Sequence, residues 1–246
     1  MSRLRVLLTG AAGRIGSTLR PAFADRYDAV WLDREPIEGE PDALTMDLSD
    51  LGALEAAMRG VDVVVHLAAQ PNEAPFNEVL VPNNVVGLYN TFEAAKRAGV
   101  RRVVFASTVQ SVARYPHDVR VEVDMPHRPN TLYGATKAFG EIVGRWYHDT
   151  HGMEFVGVRI GWFIKYDEDL LRERAAASNI WLSPNDAIQM FTKATEAPGV
   201  GYVVVSATSR PLREYLSLTT AREVLGYDPI DNAADYLEAE APADAH

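Results

Sequence analysis

The apolar run Leu4-Arg5-Val6-Leu7-Leu8 leads directly into Gly10-Ala11-Ala12-Gly13-Arg14-Ile15-Gly16. A buried strand has to end there, the backbone has to turn on glycine, and a helix has to open with little bulk in its first turn. That geometry gathers backbone N–H groups and a helix N-terminus at one point, which suits a phosphate. Gly10 permits the turn, Gly13 admits a pyrophosphate, and Gly16 lets helix and strand pack closely. The spacing predicts a dinucleotide-binding loop that includes Arg14 and Ile15.

The remaining chain alternates as such a loop requires. Apolar runs predict strands at residues 4–8, 29–32, 61–67, 102–106, 155–160 and 202–205, and helical periodicity predicts helices at 15–23, 51–58, 84–98 and 132–147. Strands alternating with helices call for a parallel sheet covered on both faces. The expected fold is therefore α/β, a Rossmann-type doubly wound parallel sheet with a small C-terminal substrate-binding portion. With no repeat and no linker, residues 1–246 read as one domain. Residues 161–200 or so contribute pocket segments, and 238–246 form a disordered tail. On the helix at 132–147, Leu132, Ala135, Phe139, Ile142, Val143 and Trp146 form one apolar stripe.

Composition narrows the function. The net charge of −10, from 34 acidic against 24 basic residues, disfavours nucleic acid and anionic membranes as partners. The absence of cysteine excludes disulfides, thiolate metal sites and cysteine nucleophiles. No apolar stretch is long enough to span a bilayer, and a cytoplasmic protein is expected. The six histidines include no pair at i, i+4, so no metal site is expected; His148 and His151 read as capping the helix end near Gly152.

Asp33 ends the second strand, where an acid takes the ribose hydroxyls of a dinucleotide. Its carboxylate repels a 2′-phosphate and favours NAD over NADP, whereas the adjacent Arg34 pulls the other way. Asp47-Leu48 follows a short strand-like segment and suits the adenine side, though a turn acid is the alternative for Asp47. His66-Leu67-Ala68-Ala69 closes a buried strand at the sheet edge where ligands bind. Ala68 and Ala69 are small enough for a cofactor to pass, and His66 reads as structural. In Tyr133-Gly134-Ala135-Thr136-Lys137, Tyr133 and Lys137 share one helix face. Ser107-Thr108 ends a strand upstream. A phenol beside a cation is expected to ionise more easily than a free one and to act as general base or acid. Thr108 would hold the substrate oxygen. The implied chemistry is hydride transfer at a hydroxyl or carbonyl carbon.

These motifs, in this order, resemble an extended short-chain dehydrogenase/reductase, and more narrowly the NAD-dependent epimerase/dehydratase family. The resemblance covers about residues 4 to 165. It implies bound NAD and catalysis by Thr108, Tyr133 and Lys137. It also makes Asn84 a cofactor-side asparagine and places the backbone of Ile160 by the nicotinamide. Within the family the chain looks most like the uronate dehydrogenases and related hexose dehydrogenases, on Asn84-Val85-Val86-Gly87-Leu88-Tyr89-Asn90, Arg128-Pro129-Asn130-Thr131-Leu132-Tyr133-Gly134, Val158-Arg159-Ile160-Gly161 and Trp181-Leu182-Ser183-Pro184-Asn185-Asp186. Those enzymes oxidise a cyclic sugar at C1 to a lactone. Where the uronate enzymes hold the sugar carboxylate, this chain has Gln70, Gln110 and Trp162, which form a poor carboxylate cradle; Arg174 is the residue expected to bring positive charge to the pocket. The expected substrate is a free or simply modified aldose, a sugar phosphate or a uronate, with no clear preference for uronates. An NAD-dependent sugar or nucleotide-sugar epimerase is the alternative, and a noncatalytic NAD sensor a second one. A homodimer is expected by the same resemblance, with Trp146 and Tyr147 at the contact.

Overall fold

The computed structural model describes residues 3–164 and 175–237. Arg174 and the segment 238–246 therefore lie outside the described residues. Seven strands form one parallel sheet: β1 (Arg5–Thr9), β2 (Asp28–Asp33), β3 (Leu44–Thr45), β4 (Val63–His66), β5 (Arg102–Thr108), β6 (Glu154–Ile160) and, last in the chain, β9 (Tyr202–Ala207), in the order β3-β2-β1-β4-β5-β6-β9. The chain starts in the middle, builds one edge, then returns and builds the other. That reversal between β1 and β4 opens a crevice at the C-terminal ends of the strands, where open α/β sheets bind ligands. A second, two-stranded parallel sheet, β7 (Trp162–Phe163) with β8 (Trp181–Leu182), stands just beyond the end of β6.

Each face of the main sheet carries its own core. On one side Val6, Leu8, Val65, Val104 and Val158 pack against α1 (Arg14–Arg26) and α5 (Pro184–Glu196). On the other, Leu7, Val64, Val103, Phe105 and Phe155 meet α2 (Leu51–Ala57), α3 (Gly87–Ala98) and α4 (Leu132–His151). β1, β4 and β5 are apolar on both sides because both sides are covered.

Two of the expected helices depart from the expectations drawn from the sequence. The helix expected from residue 84 begins earlier, as a π-helical segment Phe76–Val86 that runs straight into α3. Pro82 lies inside it and has no N–H to donate, and the Gly87 N–H reaches back to the Pro82 carbonyl in a wide turn. The apolar stripe of α4 faces outward: Leu132 is 49% exposed, Ile142 59% and Trp146 54%. The face turned to the sheet is instead glycine-rich. A Cβ on Gly140 would come within 2.4 Å of the Phe105 ring, and one on Gly144 within 2.2 Å of Phe155. The helix sits so close to the sheet that two aromatic rings fill the space its side chains would take. Tyr147, expected at a subunit contact, is buried instead, against Phe92 and with its hydroxyl bonded to Glu93. At the C-terminus of α4 the His148 ring meets the Met153 carbonyl, beyond the helix, and Gly152 closes the helix at φ 72°.

Candidate active site

A cavity of about 1120 Å³ lies at the C-terminal end of the sheet. Gly10, Gly13, Arg14, Ile15 and Gly16 form one wall. The turn needs glycine for steric reasons. Gly10 sits at φ 72° with the Ala68 backbone against it, and a Cβ on Gly16 would lie 2.3 Å from the Gly10 carbonyl oxygen. Helix α1 opens at Gly13 with no side-chain cap and no acid in its first turn. Its leading N–H groups and positive dipole end are thus left for an anion. Asp33 stands behind the loop at the end of β2. Its carboxylate accepts from the Ala12 N–H at 2.9 Å and the Glu35 N–H at 3.2 Å. Arg34 is turned to Glu35 at 4.0 Å and is largely exposed. These residues fit a dinucleotide: an uncapped helix end for the pyrophosphate and a fixed carboxylate for ribose hydroxyls.

The other cofactor-side residues take varied positions. Leu67, Ala69 and Ile160 line the cavity. Ala68 donates its N–H to Thr9 Oγ1 and props the glycine turn. Asp47 folds back on Ser49, whose hydroxyl and whose N–H at 2.8 Å hold its carboxyl below the usual range, and Leu48 packs on Gly87. Asn84 is buried and ties three pieces of chain together. It bonds both backbone groups of Gln70 and the hydroxyl of Thr136. The Gln70 side chain turns to the Pro71 carbonyl, and Gln70 does not line the cavity. His66 is fully buried with its Nδ1 2.8 Å from Thr9 Oγ1, and burial pushes its imidazole down to about 3.

Thr108, Tyr133 and Lys137 converge on the cavity. Thr108 ends β5 and caps a single 3₁₀ turn, accepting the Gln110 N–H at 3.2 Å, while Ser111 holds its carbonyl at 2.8 Å. The neighbouring Ser107 is spent on the Glu141 carboxylate inside the protein. Tyr133 stands in the first turn of α4, which Thr131 caps through the Gly134 N–H. Glu73, which the sequence did not single out, accepts the Tyr133 N–H at 3.2 Å. One turn on, Lys137 donates to the Ala106 carbonyl at 2.8 Å, and its ammonium lies 5.9 Å from the centre of the Tyr133 ring.

The expected easing of the phenol's ionisation is not what the protein's own groups produce. Burial pushes the Tyr133 hydroxyl up to about 12, against a smaller downward pull from its bond to Thr108, and pushes Lys137 down to about 7. Desolvation is the largest cause for both groups, because burial disfavours the charged form of each.

Gln110 and Trp162 face the cavity, and Thr131 holds the Gln110 Oε1 at 2.8 Å. The sequence reading had not chosen His117, Asn179, Arg213 or Tyr215, which also line it. They come from three separate parts of the chain, and no spacing motif connects them.

A parallel sheet with a glycine loop at its first turn and a Thr/Tyr/Lys set over its crevice defines a Rossmann-type protein equipped for proton and hydride chemistry. Comparison with known proteins agrees. The chain belongs to the NAD dependent epimerase/dehydratase family, whose profile matches residues 6–164. It is 39% identical to an NAD-dependent glucose-6-phosphate dehydrogenase of Haloferax volcanii, over 97% of this chain and 98% of that one. It is 36% identical to an L-arabinose 1-dehydrogenase (NAD(P)(+)) of the same organism, over 95% and 99%. Its fold matches a crystal structure of a uronate dehydrogenase variant from Agrobacterium tumefaciens complexed with NAD, with a TM-score of 0.83 and 32% identity, over 98% of this chain and 92% of that one.

Proposed function

We propose that the protein is an NAD-dependent dehydrogenase that oxidises the C1 hydroxyl of an aldose or a simple aldose derivative to a lactone. The observation that carries this reading is that Thr108, Tyr133 and Lys137 open onto the same cavity as the uncapped glycine loop. The glycine loop and α1 would hold the pyrophosphate, Asp33 the adenosine ribose, and Leu67, Ala69 and the Ile160 backbone the nicotinamide side. NAD, when bound, supplies the hydride acceptor and a positively charged ring. Tyr133, as phenolate, takes the proton from the C1 hydroxyl as the C1–H electron pair leaves and the C1=O bond forms. Thr108 donates to the same oxygen. Its oxygen accepts the Gln110 N–H, and its bond to the Tyr133 hydroxyl sets it beside the group that takes the proton. Lys137 is fixed by the Ala106 carbonyl with its remaining N–H groups for cofactor and phenol. Because burial alone leaves the phenol near 12, the positive ring and Lys137 together have to favour the phenolate.

The relatives act, by their names, on glucose 6-phosphate, arabinose and uronates. Common to them is a sugar dehydrogenase activity, and uronates are not singled out. A C₂ homodimer completes the reading. The outward stripe of α4, with Val86 at the end of the π-helical segment and Tyr89 in α3, 43% and 47% exposed, makes an apolar face of the kind subunits cover. No helix among the described residues is long and apolar enough to cross a membrane.

The test is NADH formation with a panel of aldoses, aldose phosphates and uronates. Tyr133→Phe is expected to lower turnover by about 10²–10⁴ while NAD still binds. A rate within about tenfold of the parent refutes the assignment of Tyr133. Isomerised sugar without net NADH would make the protein an epimerase instead.

A further inference from the structure

The cavity holds positive charge that the proposed reaction does not use. The chain has 34 acidic residues, yet no aspartate or glutamate is among the described residues that line it. Two arginines do line it, Arg14 and Arg213, together with Lys137, which burial pushes down to about 7. Arg14 belongs to the glycine loop and Lys137 to the reacting group. Arg213 has no part in either.

Arg213 lies on the loop that follows β9, and two contacts fix it. Its backbone N–H donates to Asn179 Oδ1 at 2.8 Å, and its Nη2 donates to the Asp118 carbonyl at 3.1 Å. The second bond ties the guanidinium to the loop that carries His117, the residue before Asp118. The His117 ring lies against Tyr215, two residues past Arg213, with 5.7 Å between ring centres. Among the described residues Arg213 has no carboxylate partner, and the Asn179 NH₂ and the His117 ring nitrogens have no hydrogen bond. All three residues line the cavity. Three donor groups, two from loops and Asn179 from the 3₁₀ turn Ala175–Ile180, thus meet on the cavity wall, away in the chain from the glycine loop.

We propose that Arg213, Asn179 and His117 form an anion site that takes the phosphate of an aldose phosphate, and so select a phosphorylated sugar over the neutral one. The proposal rests on the reading that Tyr133 and Thr108 hold the C1 hydroxyl, since the anion is then a group at the other end of the sugar. A phosphate suits the arrangement better than a carboxylate does. Its oxygens point in several directions and accept from donors around them, whereas a planar carboxylate is best matched by one two-pronged guanidinium. The remaining N–H groups of Arg213 supply the charge. Asn179 supplies amide protons while its carbonyl holds the Arg213 backbone, and His117 donates from the facing loop.

The experiment compares kcat/KM for glucose and galactose, their 6-phosphates and the matching uronates, in the parent, Arg213→Ala and Arg213→Lys. The parent is expected to prefer the 6-phosphate over the neutral sugar by about 100-fold or more. Arg213→Ala is expected to cut that ratio by about 30-fold or more, mostly through KM for the phosphorylated sugar, with partial recovery in Arg213→Lys. A parent that uses neutral sugars or uronates as well as the 6-phosphates overturns the proposal. So does an Arg213→Ala loss that falls equally on phosphorylated and neutral sugars, or one that falls on KM for NAD. If the parent reduces NAD with none of these sugars, the C1 reading fails. Calorimetric binding of glucose 6-phosphate in the presence of NAD then decides the anion site: binding weakened about tenfold or more by Arg213→Ala supports it, and absent or unaffected binding overturns it.

Discussion

Glu141→Gln should be among the most damaging single substitutions outside the reacting groups. Glu141 lies on α4 with its side chain only 2% exposed, facing Arg159 of β6, 3% exposed. The carboxylate accepts Nε at 3.0 Å and Nη2 at 2.9 Å, and also takes the Ser107 hydroxyl from the end of β5. Three elements that position Thr108, Tyr133 and the Ile160 backbone are thus tied through one carboxyl group. With glutamine there, one carbonyl oxygen faces a buried guanidinium that keeps its full charge and cannot lose its proton. Removing one partner of a buried ion pair typically costs about 3–5 kcal/mol, because the remaining charge is left uncompensated. For a protein of this size each kcal/mol moves Tm by about 2–4 °C, so the expected fall is roughly 6–20 °C. Thermal unfolding followed by circular dichroism measures it. The double variant Glu141→Leu/Arg159→Met removes both charges and should be markedly more stable than either single change. Arg145→Ala, which breaks an exposed i, i+4 pair with Asp149, serves as the contrast, with a far smaller loss expected. A Glu141→Gln loss no larger than that of Arg145→Ala would refute the reasoning.

Other expectations follow from single contacts. Asp33→Ser should remove or reverse a preference for NAD over NADP, read as the ratio of kcat/KM for the two cofactors; equal values in the parent would mean that Arg34, not Asp33, governs the choice. His66, pushed down to about 3 chiefly by burial and also by Lys137, binds its proton in the unfolded chain near pH ~6.5 but not in the folded one. Stability from this group is therefore complete above pH ~6.5 and is lost as pH falls toward ~3, by at most about 1.4 kcal/mol per pH unit. Urea unfolding at several pH values should show a shallower acid slope for His66→Gln, and identical slopes would exonerate His66. If the outward stripe of α4 is a dimer face, Ile142→Arg should leave a folded monomer in sedimentation velocity, and a parent that is already monomeric at micromolar concentration removes that face from the proposal.

Much of this protein was legible in its sequence because the signals are local. The glycine loop announces itself by spacing, since a turn at φ 72° against the Ala68 backbone admits nothing larger. The buried strands β1, β4 and β5 read as unbroken apolar runs because both faces of the sheet are covered. Tyr133 and Lys137 are set one turn apart by helix geometry, so their pairing needed no tertiary knowledge.

What the tertiary structure alone decided concerns groups that meet across the fold. Periodicity showed an apolar stripe on α4 but not which way it faced. The answer came from Phe105 and Phe155, whose rings require Gly140 and Gly144 beneath them and so turn the larger residues outward. The ionisation of Tyr133 could not be read from the nearness of a lysine, because it depends on how much water the surrounding chain removes from both groups. Asn84 read as a cofactor-side residue, and only the fold shows that it also fastens Gln70 to α4. Arg213, Asn179 and His117 share no motif; the fold brings them from three parts of the chain to one cavity. Sequence spacing encodes contacts along a helix or a strand, where the backbone fixes the distances. Contacts between loops depend on where the whole sheet ends, and only the folded chain sets that.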